Sequence, residues 1–221
     1  MLKKALMSFL TITVALLSLS VIAIPPENLA TLKKQITEYY QNGTFEHDVA
    51  QVVFPAKQYL KQRVQNNTDN QKLAIVFDID DTCVTHFNDL QKIDYGQTSA
   101  YIFNVILQHV GNIPIPPVRD LYNYAKNNHV AIFLITGRPQ GDRSVTEKLL
   151  NASGYTGWTR LYLTPRGYHE KSAAYFKTAI RKQLTNVGYD IVLNIGDQVS
   201  DLTGGYADMT VKIPNPLYFV P

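Results

Sequence analysis

Cysteine is nearly absent from this chain of 221 residues. Cys83 is the only one, so no intrachain disulfide can form. An exported form must then draw its stability from packing or from a metal. An excess of either charge is also missing: 21 Lys and Arg stand against 18 acidic residues. That balance offers no basic face for a nucleic-acid polymer or an anionic membrane. Internal repeats and low-complexity tracts are lacking. His47, His109, His129 and His169 show no metal-ligand spacing and read as surface or packing residues.

Long apolar runs are missing as well, with one exception at the start. Lys3 and Lys4 precede an uncharged stretch from Ala5 to Ala23, and Pro25-Pro26 follows it. That is the layout of a secretory signal peptide over residues 1–23, with a small residue at the cleavage position. The expectation is a secreted or periplasmic protein that keeps no stable membrane anchor after cleavage. Without Lys3 and Lys4 the balance is 19 basic to 18 acidic residues. Residues 24–221 suffice for one domain with a sizeable core.

What is present follows a strand–helix rhythm. Leu29, Leu32, Ile36 and Tyr39 fall near helical spacing, which predicts helices over 29–40 and 45–64. Pro55 should kink or divide the second. Buried strands are expected at 73–77, 130–136 and 191–195, and shorter ones at 160–163 and 210–213. Helices are expected at 117–127, 142–153 and 170–185. Strands separated by helices argue for a doubly wound parallel α/β sheet with N-terminal helices. Residues 82–116 break the alternation. They are rich in aromatics (Phe87, Tyr95, Tyr101, Phe103) and read as an insertion over the strand ends.

The chemistry is concentrated in Asp78-Ile79-Asp80-Asp81, placed straight after the apolar run Leu73–Phe77. Open α/β sheets hold their ligands at the C-terminal ends of the strands. Residues two apart on a strand face one side, so Asp78 and Asp80 share a site and Asp81 turns away. Two carboxylates that close repel and are costly to bury. A divalent cation, a shared proton or a lysine relieves that cost. Other strand ends carry Thr136-Gly137-Arg138 and Gly196-Asp197, with Asp201 four residues on, and a helix between them bears Lys171 and Lys177. Such a set can perform phosphoryl transfer through an aspartate. A calcium loop fits less well, because Cys83 stands at the sixth position, where that loop needs Gly. A receiver domain fits less well because its phospho-acceptor sits on a later strand than its acid pair.

Asp78-x-Asp80-x-Thr82, Thr136-Gly137-Arg138, an intervening lysine and Gly196-Asp197-x-x-x-Asp201 resemble the four ordered motifs of the haloacid dehalogenase superfamily. Phe133–Pro139, Gly154–Trp158, Asn194–Gln198 and Lys212-Ile-Pro-Asn-Pro-Leu-Tyr218 sharpen the resemblance to its class B acid phosphatase branch. That branch includes plant acid phosphatases and vegetative storage proteins. The resemblance implies a Rossmann-like fold with a small cap insertion at about 82–116. It implies an acid phosphomonoesterase in which Asp78 is the nucleophile and Asp80 the acid–base. It further implies Mg²⁺ held by Asp78, the Asp80 carbonyl, Asp197 and Asp201, with Thr136, Gly137 and Lys177 on phosphate. Lys177 is preferred to Lys171 because Phe176-Lys-Thr resembles the family's Tyr-Lys-Ser segment. The partner is a small phosphomonoester. His86, Phe87, Tyr95, Tyr101 and Phe103 are candidate pocket residues, which permits a nucleoside monophosphate. His86 departs from the small polar residue usual there, and Val199 from the usual Trp. An acidic optimum is expected, with Asp80 protonated while Asp78 stays ionised. The alternatives are a secreted storage or binding protein with little catalysis, and a phosphotransferase to alcohol acceptors.

Overall fold

The computed structural model describes residues 25–96, 113–168 and 172–220. The candidate signal peptide lies outside them, as do Tyr101, Phe103, His109, His169 and Lys171. No helix among the described residues is long and apolar enough to cross a membrane.

Two helices, α1 (Leu29–Gln41) and α2 (Thr44–Gln65), precede the first strand, β1 (Lys72–Phe77). Then come β2 (Val84–Thr85), α3 (Phe87–Lys92), β3 (Ile113–Pro114) and α4 (Pro116–Asn127). The strand β4 (Ala131–Pro139) leads to α5 (Arg143–Ala152), β5 (Arg160–Thr164) and α6 (Ala174–Asn186). The chain ends with β6 (Tyr189–Gly196), α7 (Val199–Leu202) and β7 (Met209–Lys212). The main sheet has the order β5-β4-β1-β6-β7, with every neighbour parallel. It is therefore a doubly wound sheet whose order reverses at β1. That reversal opens a crevice at the C-terminal ends of β1, β4 and β6.

The period-two alternation of β1 divides the core. Leu73, Ile75 and Phe77 join one apolar cluster, with Val49, Val53 and Leu60 of α2 and Val118 and Leu121 of α4. Ala74 and Val76 join another, with Leu184 of α6. Asp78 carries the same parity as Ala74 and Val76. It leaves β1 on the side covered by α6, the helix that bears Lys177.

Pro55 does not divide α2; the helix runs unbroken for 22 residues. Val49 and Val53 before it and Ala56 and Leu60 after it are all buried in one core. Their packing outweighs the hydrogen bond that proline cannot donate. Beyond β1, β2 and β3 pair antiparallel, so the two ends of the irregular segment meet in a short ribbon. Two-residue strands carry no readable period, and the sequence pattern does not announce them.

Candidate active site

At the crevice a cavity of about 270 Å³ is lined by Asp78, Asp80, Thr136, Gly137, Lys177, Asp197 and Asp201 together with Arg138, Thr164, Tyr168 and Tyr218. Residues from four separate strand ends and two helices therefore meet in one place. The Asp78 N–H donates to the Ile195 carbonyl at 2.9 Å, which keeps β1 and β6 paired to the edge of the site. On the other side, the β4–β5 register shifts between Ile135 and Pro139. This bulge lifts Thr136-Gly137-Arg138 out of the ladder beside the cavity, as bulges near active sites do. The Thr136 hydroxyl accepts from the Arg138 N–H at 3.1 Å.

Lys177 is buried, and its Nζ donates to Asp78 Oδ1 at 2.5 Å and to Asp201 Oδ1 at 2.6 Å. Burial opposes its charge, but Asp201 and Asp78 outweigh burial and hold its pKa above the ordinary lysine value. Burial pushes Asp78 well up; Lys177 opposes that rise, while Asp201, Asp197 and Asp80 add to it. Asp201 closes a reciprocal capping box with Gln198 at the start of α7. Its carboxylate lies so near Gly196 that a Cβ there would come within 2.3 Å of Asp201 Cβ. Only glycine admits that approach.

Asp80 faces a different set of partners. Arg138 Nη2 donates to its Oδ1 at 2.6 Å and Nε to its Oδ2 at 2.9 Å, and His86 Nε2 lies 2.6 Å from Oδ1. Burial raises the Asp80 pKa, but Arg138 and His86 more than reverse that and hold it below the usual carboxylate range. Asp80 is thus held toward its ionised form, against the protonation that donation to a leaving group requires. The fork of Arg138, whose motif the sequence displays but whose target it does not, is the physical reason.

His86, Phe87 and Tyr95 do not line the cavity. His86 is buried beneath Asp80, and Phe87 stacks on Tyr40 of α1 with ring centroids 4.4 Å apart. The Tyr95 hydroxyl lies 2.6 Å from Thr37 Oγ1, also on α1. These aromatics fasten the N-terminal helix; Tyr168 and Tyr218 supply the aromatic wall instead. Asp81 turns away as its position demands and takes a left-handed φ of 53°. Its carboxylate accepts from the His86 N–H, Thr85 Oγ1 and Tyr218 Oη.

Asp78, Asp197 and Asp201 each place one carboxylate oxygen within 4.8 Å of the others. Among the described residues every donor on Asp197 is neutral: Thr82 Oγ1, Gln198 Nε2 and Asn215 Nδ2. Burial, then the charges of Asp201 and Asp81, push the Asp197 pKa up to about 6. A buried oxygen-only set with surplus negative charge fits a hard divalent cation.

That surplus has a consequence for pH. A carboxylate raised in the folded state stabilises fully below its unfolded value and loses that contribution as pH rises through the folded one. For Asp197 the window runs from 3.8 to about 6. Asp80 has the opposite sign, but its loss lies below 3.8, outside this window. In EDTA the melting temperature is therefore expected to fall as pH rises from 3.8 through about 6. A hard divalent cation held by Asp78, Asp197 and Asp201 should reduce the fall by replacing the proton. Thermal scans across that range with EDTA and with Mg²⁺ check both statements.

Residues 10–221 match the family model of the HAD superfamily, subfamily IIIB (acid phosphatase). The chain belongs to this family. Among its acid phosphatase relatives is acid phosphatase 1 of Solanum lycopersicum, 30% identical over 204 residues, spanning 88% of this chain and 76% of that protein. Vegetative storage protein 2 of Arabidopsis thaliana is 31% identical over 87% of this chain and 73% of its own length. The stem 28 kDa glycoprotein of Glycine max is 36% identical over 67% of this chain, and the match spans 61% of the glycoprotein. A class C acid phosphatase of Bacillus anthracis shares the fold, with a TM-score of 0.71 at 21% identity over 86% of each chain. The acid phosphatase family thus brings together what the sheet topology and the strand-end carboxylates already suggest.

Proposed function

We propose that the protein is an exported, Mg²⁺-dependent acid phosphomonoesterase that works through an aspartyl-phosphate on Asp78. The observation that carries this is Lys177 Nζ between Asp78 and Asp201, beside Thr136 and Gly137 at one cavity. The Asp78 carboxylate attacks phosphorus while the bond to the leaving alcohol breaks, and that oxygen takes a proton from Asp80. Water then attacks the phosphoryl group, Asp80 accepts its proton, and the Asp78–phosphorus bond breaks to release inorganic phosphate. Thr136, the Gly137 backbone and Lys177 bind the phosphoryl oxygens. Asp78, the Asp80 carbonyl, Asp197 and Asp201 would hold Mg²⁺, which supplies charge neutralisation to the phosphoryl group. Residues 1–23 serve as the export signal.

Phosphate release from an aryl phosphate is expected with Mg²⁺ and is expected to vanish in EDTA. Absence of turnover with every divalent metal overturns the proposal. Arg138 and His86 make Asp80 a ready base and a reluctant acid, so the first half-reaction gains from a higher proton concentration. Turnover is expected to rise from about pH 9 to about pH 5. A flat profile contradicts that division of labour. Phe87 and Tyr95 give no support to a stacked nucleotide base, so we assign the substrate as a small phosphomonoester in which any planar leaving group meets Tyr168 or Tyr218.

A further inference from the structure

Beyond β7 the chain does not leave the domain. The Ile213 N–H donates to the Gly196 carbonyl at 2.9 Å, and residues 214–220 then cross the strand ends from the sheet edge toward β1. Asn215 Nδ2 donates to Asp197 Oδ2 at 2.6 Å, while its own Oδ1 accepts from the Leu217 N–H at 2.8 Å. The Tyr218 hydroxyl donates to Asp81 Oδ2 at 2.7 Å. The Val220 N–H donates to Gln198 Oε1 at 3.0 Å. The strap thus grips both carboxylate loops, one after β1 and one after β6.

The hydrogen bonds on Asp197 are unequal. Gln198 and Asn215 both donate to Oδ2 at 2.6 Å, whereas among the described residues Oδ1 takes only the Thr82 hydroxyl, at 3.0 Å. Two amide N–H groups on one oxygen fix the carboxylate plane and leave Oδ1 the less occupied oxygen. Losing either amide lets the carboxylate turn about χ2. Tyr218 acts likewise on the other loop: it holds Asp81, and Asp81 in turn anchors the backbone after Asp80 through the His86 N–H.

We infer that the C-terminal strap is a working part of the site, in which Asn215, through Asp197, and Tyr218, through Asp81 and the loop after Asp80, are positioning residues that set its cation affinity. The inference rests on the proposed role of Asp197 as a cation ligand. Groups that orient metal ligands typically change affinity or activity by about 10- to 100-fold when removed.

The test uses the full chain and Mg²⁺ alone as probe, followed by isothermal calorimetry. Asn215→Ser keeps an acceptor for the Leu217 turn but withdraws the amide donor. Its Mg²⁺ dissociation constant is expected to rise by about 10-fold. Tyr218→Phe removes a single oxygen and is expected to weaken Mg²⁺ binding by about 3-fold. In assays the Mg²⁺ concentration for half-maximal rate should rise in parallel; in Asn215→Ser, a residue that does not line the cavity, KM for the aryl phosphate should stay unchanged at saturating Mg²⁺. A purely structural strap would lower the melting temperature without moving Mg²⁺ affinity. Wild-type affinity in Asn215→Ser overturns the inference, as does wild-type affinity in Tyr218→Phe should Asn215→Ser fail to fold. A wild-type chain that neither binds Mg²⁺ nor releases phosphate fails at the earlier step and takes the phosphatase proposal with it.

Discussion

Asp78→Asn is expected to lower phosphate release by more than about 10⁴-fold, the scale on which a lost nucleophile is felt. The amide keeps the size and shape of the carboxylate but cannot attack phosphorus. It can still accept from Lys177 Nζ, which also remains bonded to Asp201. The fold should therefore survive. Asp78 is buried, its pKa is pushed well up by that burial, and three other carboxylates work against its charge. Neutralising it removes repulsion along with attraction, so the melting temperature should change little. Measured together, turnover and melting temperature separate catalysis from folding. Unchanged turnover in Asp78→Asn would remove the aspartyl-phosphate mechanism. A wild-type chain without turnover, with Asp78→Asn indistinguishable from it, would instead favour a storage role. Formation of a new phosphoester when an alcohol is added would point to phosphotransfer.

Much of this site could be read from residue order, because a strand writes its geometry into sequence with a period of two. Leu73–Phe77 identifies β1 by composition, and parity alone puts Asp78 on the Lys177 side and Asp81 off it. Thr136 and Asp197 follow by the same rule, since each ends an apolar run. Side chains that act across the fold leave no such trace. Asn215 lies 18 residues from Asp197, and Tyr218 lies 137 from Asp81. Neither pair has a period, and the Pro-Asn-Pro segment reads locally as a loop. Phe87 and Tyr95 show the converse error. Aromatic residues near an active site suggest a substrate platform, but apolar rings serve a helix as readily as a ligand, and here α1 takes them. Arg138 is intermediate: its motif marks the position, while its buried grip on Asp80 depends on how far β4 bulges from β5.

Lys177→Met should cost both catalysis and stability, and the two losses should respond differently to rescue. Methionine fills similar volume but leaves the Asp78 and Asp201 side chains, 8% and 5% exposed, without their shared cation. Removing one partner of a buried ion pair costs about 3–5 kcal/mol. At this size that is about 10 °C in melting temperature. The deficit should be largest near neutral pH in EDTA. It should shrink as pH falls, because Asp78, whose pKa burial already raises, then takes a proton in place of the ammonium. Mg²⁺ should shrink it as well. Turnover should fall by about 10²- to 10³-fold, the usual effect of losing one group that stabilises transition-state charge. Adding Asp201→Asn removes the second carboxylate of the bridge and should restore part of the melting temperature without restoring turnover. That dissociation would assign Lys177 a role on the phosphoryl group beyond neutralising two buried acids. Lys171→Met should keep its activity. Wild-type turnover in Lys177→Met with loss in Lys171→Met would transfer the role to Lys171, and the bridge between Asp78 and Asp201 would then be structural.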